Sequence, residues 1–305
     1  MKIVALATAG LISAPIHDAS LDAHSGTAGW NDVGFTTAIR DALPPVRIND
    51  SLARFRLGVV FAERDAEVLA PAEALRRFRH LAERGDPEAQ FNLGNLYVAG
   101  RGTPQDHAAA ARWYRAAAEK GHPGAQFNLG LLYTNGLGVP PDRDEALRWY
   151  RASAERGKRE AQFHLGNMHA VGDGMAPDHG EALRWYRLAA DQGHPGARFN
   201  LGNMYLHGRG VSQDDETAVR WYRAAAAQGD PAAQGALALM YHWGRGVPQD
   251  NVIASMWLDI SLATRPSETR REHHEIIARH LSAEEIARAQ GLARACLASE
   301  YRKCR

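Results

Sequence analysis

The chain of 305 residues is 45% hydrophobic and carries 36 basic residues against 35 acidic ones. That length admits two ordinary globular domains or one extended repeat array, and the near-cancelled charge removes any overall field that would draw the chain to nucleic acid or an anionic membrane. No apolar run approaches the roughly 20 residues with which an α-helix crosses a bilayer, so no stable membrane span is expected.

Lys2 precedes a mostly apolar stretch from Ile3 to Ala14, which has the length and charge polarity of the first two parts of a secretory signal peptide. Ile12-Ser13-Ala14 offers a small residue at the cut, although Pro15 comes directly after it. Residues 1–19 are therefore read as a signal peptide and the mature chain as periplasmic or secreted, with a cytoplasmic protein as the alternative. Residues 20–50 form an N-terminal extension in which Trp30 and the Phe35 to Leu43 segment are expected to cap the first repeat unit.

From residue 53 to residue 264 the sequence repeats every 36 positions without an insertion, which assigns residues 51–265 to a repeat array. Ala53, Ala89, Ala125, Ala161, Ala197 and Ala233 form one column. Trp113, Trp149, Trp185, Trp221 and Trp257 form a second, and Gly85, Gly121, Gly157, Gly193 and Gly229 a third. Leu57, Leu93, Leu129, Leu165, Leu201 and Leu237 form a fourth, each followed by Gly except Leu237.

One unit, residues 86–121, reads as a helical hairpin. Pro87 sits where a first-turn proline costs nothing, because that backbone N–H has no intrahelical partner. Ala89, Leu93, Leu96 and Tyr97 then share a face at helical spacing, and Gly94 leaves room for a neighbouring helix. Gly100 ends this first helix, helix A, by accepting a left-handed conformation. Asp106, Asp142, Asp178, Asp214 and Asp250 recur where helix B begins, suited to accept from its exposed N–H groups. Asp142 with Glu145 and Asp178 with Glu181 have capping-box spacing. Helix B brings Trp113, Tyr114, Ala117 and Ala118. A single hairpin cannot bury such a face, so the units must stack, with atypical units at both ends. The first unit, 53–85, keeps Ala53, Leu57-Gly58 and Phe61 but loses the loop glycines to Arg64 and Ala66. Residues 266–305 read as a polar helical cap, one helix near Glu268 to His280 and a second starting at Ser282, which with Glu285 makes a capping box.

The Ala-x-x-x-Leu-Gly spacing of Ala125 and Leu129-Gly130, the Gly136-Leu137-Gly138-Val139 turn, Asp142 and the Ala146 to Tyr150 segment together resemble the Sel-1-like repeat family, the 36-residue relative of the tetratricopeptide repeat. The resemblance covers about two thirds of the chain. It implies an all-α, right-handed α-solenoid of about six helix-turn-helix repeats. It also implies an adaptor function, often in bacterial envelopes or at host surfaces, with a concave wall built largely from the A helices. Several members carry cysteines; here Cys296 and Cys304 are the two present. They lie too far apart along a straight helix to bridge, but a helix end within Ser299 to Arg302 would fold the tail back and allow a disulfide in an oxidising compartment. Two independent thiols are the alternative.

Some chemistry is set aside. His273-His274-Glu275 with His280 resembles metal-site material, but a zincin helix needs its second His four residues after the first, and Ala278 stands there. His280 lies about 600° around the helix from His274. No catalytic acid and base cluster and no phosphate loop is present, so neither enzyme activity nor a cofactor is expected. Arg112, Arg115, Arg148, Arg151, Arg184, Arg187, Arg220 and Arg223 recur along the B helices, and Glu119, Glu155 and Asp191 follow Arg115, Arg151 and Arg187 by four, so intrahelical pairing is expected to neutralise the stripe. Left unpaired, the stripe would suit an anionic glycan or nucleic acid.

On a helical wheel for Ala89 to Val98, Leu93 at the core centre sends Asn95 and Val98 to the far side. Their register gives Asn95, Leu131, Asn167, Asn203 and Leu239, and an outermost turn of Val98, Thr134, Leu206 and His242. Packing residues should recur and ligand-tuned ones need not, so these variable columns are the expected partner-binding site, with asparagines pairing to the backbone of an extended segment. Phe91, Phe127, Phe163 and Phe199 recur and are read as packing between units. The expected function is a scaffold for a protein or peptide. The alternative is an envelope protein that binds or regulates enzymes of cell-wall or exopolysaccharide metabolism, with a polysaccharide as ligand.

Overall fold

The computed structural model describes residues 71–172, 176–302 and 304. The expected signal peptide, the extension at 20–50 and the first helix of the 53–85 unit lie outside them. Among the described residues the fold is all-α: α1 (Pro71–Glu83), α2 (Pro87–Ala99), α3 (His107–Glu119), α4 (Pro123–Asn135), α5 (Arg143–Glu155), α6 (Arg159–Val171), α7 (His179–Asp191), α8 (Pro195–His207), α9 (Asp215–Ala226), α10 (Pro231–Trp243), α11 (Asn251–Thr264), α12 (Glu268–Ala278) and α13 (Ala283–Ala298). From α2 to α11 even-numbered helices are A helices and odd-numbered ones B helices, the consecutive packed pairs of an α-solenoid. No described helix is long and apolar enough to cross a membrane. The chain forms two compact units, described over residues 71–197 and 198–304.

The hairpins start and stop as local chemistry dictates. Asp86 accepts from the Ala89 N–H at 2.8 Å, Pro87 follows, and Gly100 closes α2 at φ 62° with its N–H on the Leu96 carbonyl. Asp106, Asp142, Asp178, Asp214 and Asp250 cap the B helices in the same way. The capping boxes expected at Asp142 and Asp178 form only by half. Glu145 and Glu181 turn outward to Arg148 and Arg184 instead of back to the cap N–H. Ser282 with Glu285 forms the complete box.

Three contacts recur from repeat to repeat and build the core. The B-helix rings of Tyr114, Tyr150, Tyr186 and Tyr222 lie directly on Gly94, Gly130, Gly166 and Gly202 of the paired A helix, so close that a Cβ on Gly166 would stand 2.6 Å from the Tyr186 ring. Burial of a ring of this size contributes about 2–3 kcal/mol. Next, the buried Gln90, Gln126, Gln162 and Gln234 donate from Nε2 to Ala82, Ala118, Ala154 and Ala226 O, closing carbonyls at the end of the preceding B helix. Finally, the second loop glycine sits on the start of the preceding B-type helix, Gly102 against Pro71, Gly138 against His107 and Gly246 against Asp215.

The C-terminal unit departs from the expected pattern. Residues 266–305 read as a polar cap, yet α13 buries Ala289, Ala293 and Cys296 against α11. These have the spacing of Ala89, Leu93 and Leu96 in α2 and of Ala233, Leu237 and Met240 in α10, and Ala289-Gln290-Gly291 repeats Ala233-Gln234-Gly235. Helix α13 is thus a degenerate A helix displaced by the insertion of α12. His274 on α12 is not poised for a metal; its Nε2 pairs with Asp259 at 2.9 Å, which holds its pKa above the ordinary value.

Two glycine substitutions should separate packing from propensity. Gly166→Ala drives a methyl into the Tyr186 ring and is expected to destabilise by about 1–3 kcal/mol. Gly291→Ala has nothing within 4 Å of the added Cβ and is expected to stabilise by about 0.5–1 kcal/mol. Urea midpoints of the two variants against the parent chain test both signs.

Candidate interaction surface

The nine partner-facing candidates separate into three groups. Val98, Leu206 and Leu239 are buried at 1%, 5% and 2% exposure, which corrects the expectation that they face a ligand. The short A–B loop brings helix B back over the last turn of helix A, so Val98 packs among Ala110, Ala111 and Tyr114, and Leu206 among Ala218, Val219 and Tyr222. Asn95, Asn167 and Asn203 are half-buried, and each Oδ1 accepts the hydroxyl of a buried tyrosine, Tyr114, Tyr186 and Tyr222 respectively, at 2.7 Å. Leu131 is half-buried, Thr134 is exposed, and His242 Nδ1 lies 2.8 Å from Asn251 Oδ1.

The variation along these columns has an internal cause. A tyrosine wedged onto glycine takes its hydroxyl out of water, and a buried O–H needs an acceptor. Burial also pushes the Tyr114, Tyr150 and Tyr222 pKa values up. Where the A helix has Leu131 in place of Asn, Thr134 one turn on takes the Tyr150 hydroxyl at 2.9 Å. Where the last repeat hairpin has Leu239, the B helix has Leu258 at the tyrosine position and no hydroxyl needs a partner. The asparagines therefore track the tyrosines.

What stays half-exposed on the A helices of the 71–197 unit is a ladder of rings. Phe91 is buried and stacks on His122 at 4.5 Å between centroids, and Phe163 stacks on His194 at 4.3 Å. Between them His164 lies 5.3 Å from Phe127 and 5.4 Å from Tyr150. Phe127, Leu131, Phe163 and His164 are each half-buried. The phenylalanines do pack between repeats as expected, but Phe127, Phe163 and Phe199 keep an open edge. His164 was the signal overlooked, since it replaces the asparagine of Asn92, Asn128 and Asn200.

Two of the ladder's histidines also cap helices. His122 and His194 stand where Asp86 and Asp230 stand in other repeats, and their Nδ1 atoms accept from Ala125 and Ala197 N–H at 3.0 and 3.2 Å. Burial, opposed by Glu160 and reinforced by Arg159, depresses His194 to about 4. Burial and then the neighbouring His194 depress His164 to about 4.

Much of the arginine stripe is partnered, though not as expected. Arg115 and Arg223 donate to Tyr133 and Tyr241, and Arg79 to Tyr97, each on the A helix 18 residues on. Arg148 and Arg184 pair with Glu145 and Glu181 at 2.8 Å and lie over the Trp149 and Trp185 rings. The acceptors at plus four are not the partners in these cases, because the following repeat or the preceding turn offers a closer one.

The sequence profile of the Sel1 repeat matches residues 87–122, 123–158, 159–194, 195–230 and 231–261. No curated protein matches the chain. Among solved structures, a Sel1 repeat protein from Oxalobacter formigenes is 33% identical over 65% of this chain and 84% of its own, with a TM-score of 0.59. A protective antigen of uropathogenic Escherichia coli strains, described as displaying an SLR fold, is 27% identical over 89% of this chain and 65% of its own, with a TM-score of 0.56.

The tyrosine pairing can be measured as a double-mutant cycle. Asn203→Leu alone leaves a buried hydroxyl without its acceptor and should cost about 1–3 kcal/mol. Combined with Tyr222→Phe, the same change should cost clearly less than the two single losses summed. A second expectation concerns acid. Because His164 and His194 have folded pKa values below their ordinary 6.5, their neutral forms stabilise the fold fully above about pH 6.5, and that contribution is lost as pH falls toward about 4. Changing His194→Asp, the cap used at position 230, should reduce the loss between pH 7 and 5 by about 1 kcal/mol, allowing for partial exposure, as read from urea midpoints across that range.

Proposed function

Because the chain belongs to the Sel1 repeat family, whose members are typically interaction scaffolds and not enzymes, we propose that it is a non-catalytic scaffold holding a protein segment across the A helices α2, α4 and α6. One observation carries this reading: Phe127, Leu131, Phe163 and His164, on adjoining A helices, keep half-exposed apolar and aromatic edges after every repeat-to-repeat contact has been made. Rigid rings of this kind contribute binding energy at little cost in side-chain entropy. Asn128, whose Nδ2 reaches Asn95 Oδ1 at 3.3 Å, lies beside them and supplies a polar edge for the backbone of a bound segment. Of the nine sequence-derived positions, Asn95, Leu131 and Asn167 belong to this surface.

An extracytoplasmic site of action, periplasmic or secreted, is part of the proposal. The Cys296–Cys304 disulfide supports it, since such bonds persist mainly in oxidising compartments.

The immobilised chain, exposed to envelope and cytosolic fractions of its source cells with crosslinking mass spectrometry as readout, should enrich a partner from the envelope fraction crosslinked to α4 and α6. Leu131→Glu should weaken that capture at least about tenfold, while its circular dichroism and urea midpoint stay near those of the parent. Equal capture by the folded Leu131→Glu chain overturns the assigned surface, and enrichment from cytosol alone overturns the assigned compartment.

A further inference from the structure

Cys296 is fully buried in the core of the C-terminal unit, Cys304 is half-buried against the same core, and the two are joined by a disulfide. Between them Glu300 and Tyr301 take φ values of 51° and 66°, a left-handed pair that side chains with a Cβ rarely adopt. The Tyr301 N–H donates to Cys296 O at 3.0 Å, which ends α13 and turns the tail back on itself. This hook lays the Tyr301 ring on the turn at Gly229, within 3.1 Å of where a Cβ would stand, with its hydroxyl 3.4 Å from Thr264 Oγ1.

The turn glycines of the other unit show what belongs there. Lys120 of the following repeat covers Gly85 and donates to its carbonyl, and Arg156 covers Gly121. Gly157 is left open. At Gly229 the following repeat has the short Thr264 where Lys120 and Arg156 stand in the others, and Tyr301 from the tail covers the turn. Helix α13 needs such help. Its buried face is Ala289, Ala293 and Cys296, where the full A helix α10 presents Ala233, Leu237 and Met240, so it removes less apolar surface from water.

We infer that the Cys296–Cys304 disulfide is a redox-sensitive clasp that holds the Tyr301 hook, and through it α13, on the last hairpin. A dithiol opens it by a balanced exchange. One reductant thiolate attacks Cys304 Sγ, the less buried sulfur, and the S–S bond breaks with Cys296 leaving and taking a proton. The second reductant thiol then displaces Cys304, so the protein gains two thiols as the reductant closes to its cyclic disulfide. Expelling Cys296 as a thiolate into an apolar core is unfavourable, which makes the closed clasp slow to reduce and the opened one quick to lose order.

Hydrogen exchange followed by mass spectrometry on the full chain tests this, comparing the oxidised form with dithiothreitol-treated protein whose two thiols are verified by alkylation. Amides of residues 283–302 should exchange roughly tenfold or more faster after reduction, with residues 87–135 unchanged. Cys304→Ser should match the reduced form with or without dithiothreitol, and Tyr301→Ala should speed exchange at residues 283–302 while the disulfide remains intact. Unchanged exchange in a fully reduced chain overturns the clasp, as does the finding of two alkylatable thiols in the unreduced protein.

Discussion

Four consecutive hairpins, from α2–α3 to α8–α9, turn on a tyrosine ring lying against a backbone that lacks a Cβ. The glycine lets helices A and B approach until the ring fills the space between them, and the ring then carries its hydroxyl into the interior. That hydroxyl sets what the A helix must offer next: an asparagine one residue after the glycine, or a threonine a turn later, or nothing where leucine replaces tyrosine. The glutamines that close the ends of the preceding B helices act in the direction across repeats, so α2, α4 and α6 are each held by one polar contact on each side. What remains for a partner is the residue of these obligations.

The period, the hairpin and its caps were legible because they depend on short-range chemistry. Asp86, Gly100 and Asp106 act within four residues of their own positions, and a 36-residue recurrence makes each one visible several times over. The interaction surface was harder to read. A helical wheel assumes one buried face, and an A helix has a B helix on either side of it in the chain, which buries Val98 and Leu206 as thoroughly as Leu93. Variation along the Asn95 column reads as tuning to a ligand until the tyrosine opposite is known, since the two residues are 19 apart and their coupling is through space. The same distance hid the true partners of Arg115 and Arg223. Helix α13 was missed as a core element because α12 shifts it out of the 36-residue frame and because small residues replace its leucines.

His194 and His274 answer acid in opposite senses. At His194, burial and the accepting role of Nδ1 at a helix start favour the neutral form, and a proton there would set N–H against N–H at the most positive end of a helix. In the C-terminal unit, His274 faces Asp259 and favours the charged form, so its contribution is fully present below its ordinary pKa and fades as pH rises through the raised value. One residue type thus serves as a cap at His194 and as an ion-pair partner at His274, and His122 does both, capping through Nδ1 and reaching Glu88 through Nε2 at 2.9 Å.

The fixed offsets of the staples carry a consequence for how such a chain can change length. Gln126 reaches Ala118 and Gln162 reaches Ala154, both eight residues back, and Tyr114 and Tyr150 each meet the glycine 20 residues before them. Excision or duplication of one whole 36-residue block between equivalent points therefore rejoins every donor to an acceptor of the same kind, and the seam is indistinguishable from any other junction. An indel out of this register between Gly130 and Tyr150 shifts the tyrosine off its glycine, and one between Ala118 and Gln126 breaks the glutamine contact. Genetic change by recombination between repeats is in this sense nearly silent to the fold, whereas a slip of a single codon triplet is not.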